Sequence, residues 1–332
     1  MTAEGGTLVL TGADVARSLT RAECREAVER AFDRLGRGRV PPARSLGFDA
    51  PRGSFHVKAA LFDAGRPRFV AKLNGNFPGN PIDRGLPTIQ GVLILSDAGD
   101  GRALAVMDSA AVTAIRTAAA SAVAADHLAR SDASVLAIVG CGRQGAEHAE
   151  ALMEVRRIRE IRLVDSDPEV AEKLAARLAT PTGPTLRIVT SVRDATRGAD
   201  LVATCTSGSA FLLDPDDVSP GAFVAAVGAD HPRKREIHPA LMARARVVVD
   251  DLEQCAAAGD LHHAIEAGAM KATDVHADLG AVIAGQRPGR QSADDIVVFD
   301  STGIALEDAA AADRIYERAR SLGLGLRLQL DA

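Results

Sequence analysis

The chain has 332 residues, of which 47% are hydrophobic, a composition typical of a globular protein with a sizeable core. Its 39 Lys and Arg residues and 44 Asp and Glu residues give a net charge of −5, without a basic cluster. This balance excludes a general binder of nucleic acid or of anionic membranes, because both need an electropositive surface. At about 150 residues per domain, the length predicts two domains. No apolar stretch reaches about 18 residues, so no membrane span is expected.

The first 130 residues show helical patterns at both ends and a pattern of strands and turns between them. Residues 12 to 35 have apolar side chains such as Val28, Ala31, Phe32 and Leu35 at three- and four-residue spacing, which predicts a helical region. Residues 40 to 108 contain short apolar runs broken by Gly, Pro, Asn and Asp, which predicts strands and turns. The stretch from 73 to 81 is so rich in turn formers that we expect irregular structure there. An Ala-rich segment from 108 to about 130 is expected to be helical.

From Ser134 onward, apolar runs typical of strands buried on both faces alternate with helical patterns. The predicted strands are 134–139, 161–165, 186–189, 201–205, 223–227, 247–250 and 296–300. Helices are predicted over 168–179 and 192–199, and from Ser301 to about Ser321. This alternation predicts an α/β fold with a doubly wound parallel sheet.

A glycine-rich motif follows the first of these strands directly and opens a helix. It consists of Gly140, Gly142 and Gly145 with Arg143 and Gln144 between the second and third glycine, and it has the form GxGxxG. Such a loop lets the backbone approach a pyrophosphate at a helix N-terminus, so we expect these five residues to bind a dinucleotide.

Asp165 ends the next predicted strand, about 20 residues beyond the loop, where an acid can bind the ribose hydroxyls. It would repel a 2′-phosphate, and Ser166 and Asp167 after it offer no compensating cation. The sequence therefore predicts NAD(H) rather than NADP(H) as the cofactor.

Several further segments resemble the ornithine cyclodeaminase/mu-crystallin family, in the order in which that family has them. Besides the glycine loop they are 71–73 with 78–80, 86–88, 104–108, 113–119, 227–230 and 299–308. The resemblance implies a homodimer whose subunit has a Rossmann domain (126–304) and a mixed α+β domain (1–125 plus 305–332) for substrate binding and dimerisation. It also implies catalysis on a small amino or imino acid.

The resemblance also implies roles for individual residues. Arg44 and Arg116 match arginines that bind the substrate carboxylate, and Lys72 matches an active-site lysine. Thr88 lies where the family contacts substrate or nicotinamide. Asp230 matches the acid that exchanges a proton at the reacting nitrogen, which makes Asp230 and Lys72 the predicted catalytic residues.

The nicotinamide end of the cofactor is expected near the ends of later strands. Thr204, Thr206 and Ser207 follow one strand, and loops at strand C-termini face the cofactor crevice. Strand-end hydrogen bonding to the backbone is an equal alternative for Thr204 and Thr206. Val227, Gly228 and Ser301 are added by the resemblance.

One position departs from the cyclodeaminases of this family, which have a glutamate facing the side-chain amine of ornithine. Here His56 occupies that position, Lys58 lies two residues on and thus on the same face, and no carboxylate follows until Asp63. Both residues are predicted to bind substrate and to disfavour a cationic side chain; packing of His56 on the sheet with Lys58 in solvent is the alternative.

The primary functional prediction is therefore hydride transfer at the alpha carbon between a small neutral or acidic L-amino acid and its imine. The alternative is cyclisation of ornithine to proline with release of ammonia, and a crystallin-like binding protein without catalysis is the third possibility. Four cysteines without a CxxC pair and a start without a signal peptide predict a cytoplasmic protein. No metal is expected at His262, His263 and His276, because no Cys or acidic residue accompanies them at a spacing typical of metal ligands.

Overall fold

The computed structural model describes residues 6–63 and 65–330, and the fold separates into two compact units. The first comprises Met1–Arg116 and Ile304–Ala332, and the second comprises Thr117–Gly303. The division thus falls at Arg116 and Thr117, earlier than the expected position after residue 125. Among the described residues, no helix is long and apolar enough to cross a membrane.

The first unit is built on a mixed sheet with helices on one face. Its strands are β1 (Thr7–Leu10), β2 (Arg44–Ala50), β3 (Gly53–Asp63), β4 (Pro67–Asn76), β5 (Ile89–Asp97), β6 (Ala103–Asp108) and β15 (Leu326–Leu328). Its helices are α1 (Gly12–Ser18), α2 (Arg21–Gly36), α3 (Asn80–Arg84), α12 (Ala305–Leu322) and the start of α4 (Ser109–Leu128). Within the described residues the sheet has the order β15-β1-β6-β5-β4-β3-β2. Neighbouring strands in this sheet are antiparallel, except for β1 and β6, which are parallel to each other.

Two predictions in this unit need correction. The helical region 12–35 is two helices, because Thr20 caps the second one and forms a capping box with Glu23. The stretch 73–81 is not irregular throughout, since β4 continues to Asn76 and α3 begins at Asn80. The reason is tertiary: this part of β4 pairs with β3 on one side and β5 on the other, and the ladder outweighs local turn propensity.

The second unit is a doubly wound α/β domain, as predicted. Its strands are β7 (Val135–Val139), β8 (Glu160–Val164), β9 (Thr185–Ile188), β10 (Leu201–Thr204), β11 (Phe223–Ala226), β12 (Arg246–Val249), β13 (Ala277–Asp278) and β14 (Val297–Asp300). Its helices are α5 (Arg143–Val155), α6 (Pro168–Leu178), α7 (Val192–Thr196), α8 (Pro239–Arg244), α9 (Leu252–Ala258), α10 (Asp260–Glu266) and α11 (Leu279–Ile283), besides most of α4 and a 3-10 turn (Ala272–Asp274). For the described residues the order is β13-β12-β14-β11-β10-β7-β8-β9, with every pair parallel.

The register of the central strands determines where loops can meet. Val139 pairs with Thr204, Thr204 with Ala226, and Ala226 with Asp300. Strands β7, β10, β11 and β14 therefore end at one level of the sheet. The loops that follow them share its carboxyl edge, where doubly wound folds bind ligands.

Candidate active site

In the first unit, a buried group of charged residues surrounds Lys72 on the helix-covered face of the sheet. Lys72 Nζ lies 2.6 Å from Asp308 Oδ2 and donates to Thr113 Oγ1 at 3.3 Å. Arg116 donates from Nε to Asp308 Oδ1 and from Nη1 to Glu307 Oε2, both at 2.9 Å. We call these five residues, which are Lys72, Thr113, Arg116, Glu307 and Asp308, the Lys72 cluster.

Local structure explains how these residues meet. Thr113 and Arg116 are three residues apart on α4, and thus share one helix face towards β4. Glu307 and Asp308 occupy the first turn of α12, where acidic side chains complement the helix dipole. The Glu307 side chain also accepts a hydrogen bond from the backbone N of Ile304 at 3.0 Å.

The ionisation of Lys72 reflects its burial. Desolvation lowers the pKa of Lys72 to about 8, against the opposing attraction of Asp308, while the charges of Arg116 and Lys58 lower it further. Burial alone would raise the pKa of Asp308, but Arg116 and Lys72 outweigh it and the net shift is downward. At neutral pH the Lys72 ammonium therefore faces the Asp308 carboxylate.

His56 and Lys58 lie on the same face as Lys72, as the alternation of β3 predicts. Lys58 is directly opposite Lys72 in the β3–β4 ladder, and His56 is opposite Asn74. The Oγ of Ser54 lies 2.9 Å from His56 Nε2. Two carboxylates that the sequence analysis did not place on this face, Glu307 and Asp308, pair with Lys72 and Arg116. These carboxylates lie more than 230 residues beyond Lys72 in sequence, so a search of the local strand could not find them.

Two other predicted substrate residues are not brought to Lys72. Arg44 pairs with Ala59 and is exposed, so strand alternation assigns it to the face opposite that of Lys58 and Lys72. Thr88 precedes β5, and its carbonyl accepts a hydrogen bond from the backbone N of Phe77 at 2.8 Å. Substrate contacts by Arg44 and Thr88 stay predictions.

The glycine loop of the second unit has the geometry that dinucleotide binding requires. Gly140 has a φ of +92°, and a Cβ on Gly145 would lie 2.0 Å from the Gly140 carbonyl oxygen. A Cβ on Gly142 would meet nothing within 4 Å, so the backbone here faces open space. Gly142 is also the N-cap of α5, without a side chain hydrogen-bonded to the helix start. Arg143 and Gln144 form the first turn of that helix.

Asp165 directly follows β8 and faces the loop. Its Oδ2 accepts a hydrogen bond from the backbone N of Cys141 at 2.7 Å, and its Oδ1 accepts one from the backbone N of Asp167 at 3.0 Å. Burial raises the pKa of the Cys141 thiol to about 12, with Asp165 adding to the effect. Cys141 is thus neutral, and the acidic group at this strand end is Asp165.

The predicted nicotinamide residues gather at the carboxyl edge of the sheet. Thr204 is fully buried at the end of β10, Thr206 and exposed Ser207 follow it, and Val227 and Gly228 follow β11. Ser301 follows β14 and donates its hydroxyl hydrogen bond to Asp250 Oδ2 at 2.8 Å. Asp230 is exposed and forms an ion pair with Lys234 Nζ at 2.6 Å.

Sequence reasoning missed a group of buried carboxylates beneath this edge. Asp250 and Asp300 end two predicted strands, Glu236 lies between β11 and α8, and Asp260 begins α10. Asp300 accepts from the backbone N of Leu261 at 2.8 Å, and burial followed by the charge of Asp260 raises the pKa of Asp300. An acid at the end of an otherwise apolar strand was the available signal for Asp250 and Asp300.

One further cluster lies outside the predicted sites. His262, His263 and Glu266 each offer one ligand atom within 4.8 Å of the others. His263 Nε2 is already 2.8 Å from the Lys234 carbonyl oxygen, and His262 Nδ1 is 3.2 Å from that of Ala256. Glu266 is exposed, and we assign no metal to this group.

Comparison with known proteins places this geometry in context. Residues 6–323 match the model of the ornithine cyclodeaminase/mu-crystallin family. Alanine dehydrogenase of Archaeoglobus fulgidus is 36% identical over 328 residues, covering 97% of this chain and 98% of the relative. The structure of an archaeal alanine dehydrogenase dimer with bound NAD superposes with a TM-score of 0.93 at 34% identity, covering 98% of this chain and 100% of the other. Delta(1)-pyrroline-2-carboxylate reductase of Thermococcus litoralis, solved with NADH and L-proline, has a TM-score of 0.91 at 29% identity, with coverage of 97% and 100%.

Proposed function

The chain belongs to the ornithine cyclodeaminase/mu-crystallin family, and from this premise we propose that it is an NAD(H)-dependent oxidoreductase of amino and imino acids. The observation that carries the proposal is the open glycine loop with Asp165 behind it, in a chain that aligns over 97% of its length with an alanine dehydrogenase. When bound, NAD(H) supplies or accepts the hydride at the alpha carbon. Gly140, Gly142, Arg143, Gln144 and Gly145 hold its pyrophosphate.

The residues of the first unit bind the substrate carboxylate in this proposal. Lys72 and Arg116 supply the positive charge, and Asp308 and Glu307 keep both side chains oriented within the buried cluster. A cation held in advance by buried partners loses little side-chain entropy when the substrate binds. Arg44 and Thr88 are the further contacts that the family resemblance implies.

Asp230 exchanges the proton at the substrate nitrogen. In the oxidative direction the alpha carbon loses a hydride and the nitrogen loses a proton, which leaves the imine; reduction reverses both transfers. Lys234 Nζ lies 2.6 Å from Asp230 Oδ1 and orients the carboxylate that accepts the proton in this proposal. Thr204, Thr206, Ser207, Val227, Gly228 and Ser301 surround the nicotinamide in this assignment.

For the substrate side chain, we propose a small neutral or acidic group. The charge of Lys58 acts on both Lys72 and Asp308, which supports a position for Lys58 close to the bound substrate. A second ammonium group, as in ornithine, would meet Lys58 and His56 on this face. Cyclisation of ornithine remains the alternative, because cyclodeaminases belong to the same family.

A substrate panel tests the proposal. NADH oxidation is followed with 2-oxo acids plus ammonia or methylamine and with cyclic imines, and ornithine with NAD is assayed for proline and ammonia. We expect turnover with a small neutral or acidic imine and none with ornithine. Efficient proline formation would establish the cyclodeaminase instead, and cofactor binding without any turnover would indicate a binding protein.

The same family relationship supports a homodimer through the exposed face of the first sheet. Apolar side chains cover the face of β2–β5 opposite the Lys72 cluster, and they are Leu46, Phe48, Phe55, Leu61, Phe69, Leu73, Val92 and Ile94. An apolar face of this kind is characteristic of a protein interface. A second copy of the chain is the proposed partner. Light scattering should give twice the subunit mass, and Phe48→Glu should shift it towards the monomer.

A further inference from the structure

Glu236 is a fully buried carboxylate that lies between β11 and α8 and was not among the predicted site residues. Its Oε1 accepts hydrogen bonds from the backbone N and the Oγ1 of Thr206, at 2.8 and 2.7 Å. Its Oε2 accepts a hydrogen bond from the backbone N of Gly228 at 2.9 Å. One side chain thus joins the loop after β10 to the loop after β11.

The packing around this carboxylate is tight. A Cβ on Gly228 would lie 2.4 Å from Glu236 Oε1, so the carboxylate rests directly on the backbone of that loop. Because β10 and β11 are paired neighbours whose ends lie level, the span between the two loops matches one carboxyl group. Any movement of either loop would break at least one of the three hydrogen bonds.

Glu236 is itself held on both sides. Its carbonyl accepts hydrogen bonds from the backbone N of Leu212 at 2.7 Å and of Leu213 at 3.1 Å. Its backbone N donates to Asp260 Oδ1 at 2.7 Å, and Asp260 also accepts from Ile237 N at 2.9 Å. Burial raises the pKa of Glu236, whereas the hydrogen bonds from Thr206 and Gly228 oppose this by favouring its ionised form.

We propose that Glu236 is a positioning residue for the nicotinamide end of the cofactor, which sets the spacing of the Thr206 and Gly228 loops. The inference rests on the proposed nicotinamide site at these two loops. Both carboxylate oxygens of Glu236 are bonded to the two loops, so in this proposal Glu236 acts through the loops and does not itself touch the cofactor. Among the described contacts, the phosphate loop at Gly140–Gly145 has no hydrogen bond with Glu236. It packs against Cys205 and Thr206 at Gly140 but is also held by Asp165, so we expect the pyrophosphate end to be affected less than the nicotinamide end.

The test compares two ligands on Glu236→Gln. NADH carries the nicotinamide and ADP-ribose lacks it, while both carry the pyrophosphate and the adenosine. The amide of Gln can accept hydrogen bonds at only one of the two loops and places an NH₂ group against donors at the other. We expect the Kd of NADH to rise about tenfold, which corresponds to the loss of one ordinary hydrogen bond. The Kd of ADP-ribose should stay within about twofold of the wild-type value. The chain has no Trp, so NADH emission and titration calorimetry are the suitable readouts.

Asp200→Asn is the matched control. Asp200 Oδ2 accepts hydrogen bonds from the backbone N of Ser134 at 2.8 Å and of Val135 at 3.0 Å, near the amino ends of the strands. Asp200→Asn should lower the stability of the protein without changing the ratio of the Kd of NADH to the Kd of ADP-ribose. Thr206→Val, which removes the hydroxyl that donates to Glu236 and accepts from the backbone N of Gly208, probes the nicotinamide site itself and should raise the Kd of NADH by a smaller factor. Glu236→Asp, whose shorter side chain keeps the charge but cannot span both loops, carries the test if Glu236→Gln does not fold.

The outcomes separate this inference from the site on which it rests. Equal weakening of NADH and ADP-ribose by Glu236→Gln, or no weakening of either, would overturn the positioning role. If Thr206→Val discriminates between the ligands and Glu236→Gln does not, the nicotinamide site stands and the inference fails. If neither variant discriminates, the nicotinamide does not lie at these loops and both proposals fail.

Discussion

Replacing Asp308 with Asn should destabilise the protein strongly, because it removes one charge from a buried group of ion pairs. Asp308 is the carboxylate that contacts both Lys72 and Arg116, so the variant leaves Arg116 with Glu307 and takes from Lys72 the carboxylate that lies 2.6 Å from its Nζ. Asp308 is fully buried and lies 2.6 Å from Lys72 Nζ and 2.9 Å from Arg116 Nε. Removing one partner of a buried ion pair costs about 3–5 kcal/mol, and we expect a loss of that size in the free energy of unfolding at pH 7.

The chain offers a matched control on the same helix. Asp313 lies 2.7 Å from the buried Arg68, but Arg68 also contacts Glu317 at 3.0 Å and Asp97 at 3.4 Å. Asp313→Asn therefore leaves the cation with two carboxylates, and we expect a loss of at most about 1 kcal/mol. Urea unfolding followed by far-UV circular dichroism measures both variants.

The pH dependence adds a second check on Asp308→Asn. The pKa of Lys72 is about 8 in the folded protein and 10.5 as its ordinary value, so the unfolded chain binds the extra proton between these limits. This group therefore makes stability rise with pH across that window. Above pH 8, Lys72 is uncharged in the folded wild type, so Asp308 no longer has an ammonium group to pair with. The difference in the free energy of unfolding between wild type and Asp308→Asn should therefore be smaller at pH 9.5 than at pH 7. A loss at pH 7 that equals that of Asp313→Asn would refute the role of Asp308.

Four further predictions concern ligands and turnover. Wild type should prefer NADH over NADPH in kcat/KM, and Asp165→Ser should narrow the gap by removing the repulsion of a 2′-phosphate; a tenfold preference of wild type for NADPH would contradict this. Asp230→Asn should lower kcat by about 10²–10⁴-fold with NADH affinity unchanged, and retention of more than about a third of kcat would exclude the proton-transfer role. Competitive inhibition by a simple 2-hydroxy acid should weaken above about pH 8 as Lys72 deprotonates, whereas a constant inhibition constant up to pH 9.5 would separate Lys72 from the carboxylate site. His56→Glu should increase activity on diamino acids, and an unchanged substrate profile would place His56 outside the pocket.

Local sequence was sufficient for most of the sheet of the second unit, but it did not predict β13 or the helices α8 to α11. The apolar runs that predicted β7 to β12 and β14 agree with the structure to within a residue or two. For the central strands the reason is that a strand covered on both faces must be apolar along its whole length, whereas the edge strand β9 is largely exposed. The glycine loop was equally readable, since Gly140 has a positive φ and Gly145 has no room for a side chain. Asp165 follows its strand, where the predicted contact with the ribose requires it.

The first unit was harder to predict from local sequence, because its strands depend on pairing with neighbouring strands. The end of β4 contains Asn74, Gly75 and Asn76, which locally favour a turn, yet the ladders to β3 and β5 keep them extended. The alternation of β3 correctly placed His56 and Lys58 on one face. It could not place Arg44 relative to Lys72, since that depends on the register between β2 and β3.

Charge balance was decided only by the tertiary structure. The residues that neutralise Lys72 and Arg116 come from the start of α12, and Glu236 reaches Thr206 from 30 positions away. Sequence identifies which side chains can ionise, but desolvation and the distance to a counter-charge determine what each one does. The composition, the strand pattern and the glycine loop followed from the sequence by itself. The ion pairs of the Lys72 cluster and the contacts of Glu236 exist only because folding brings distant carboxylates to buried partners.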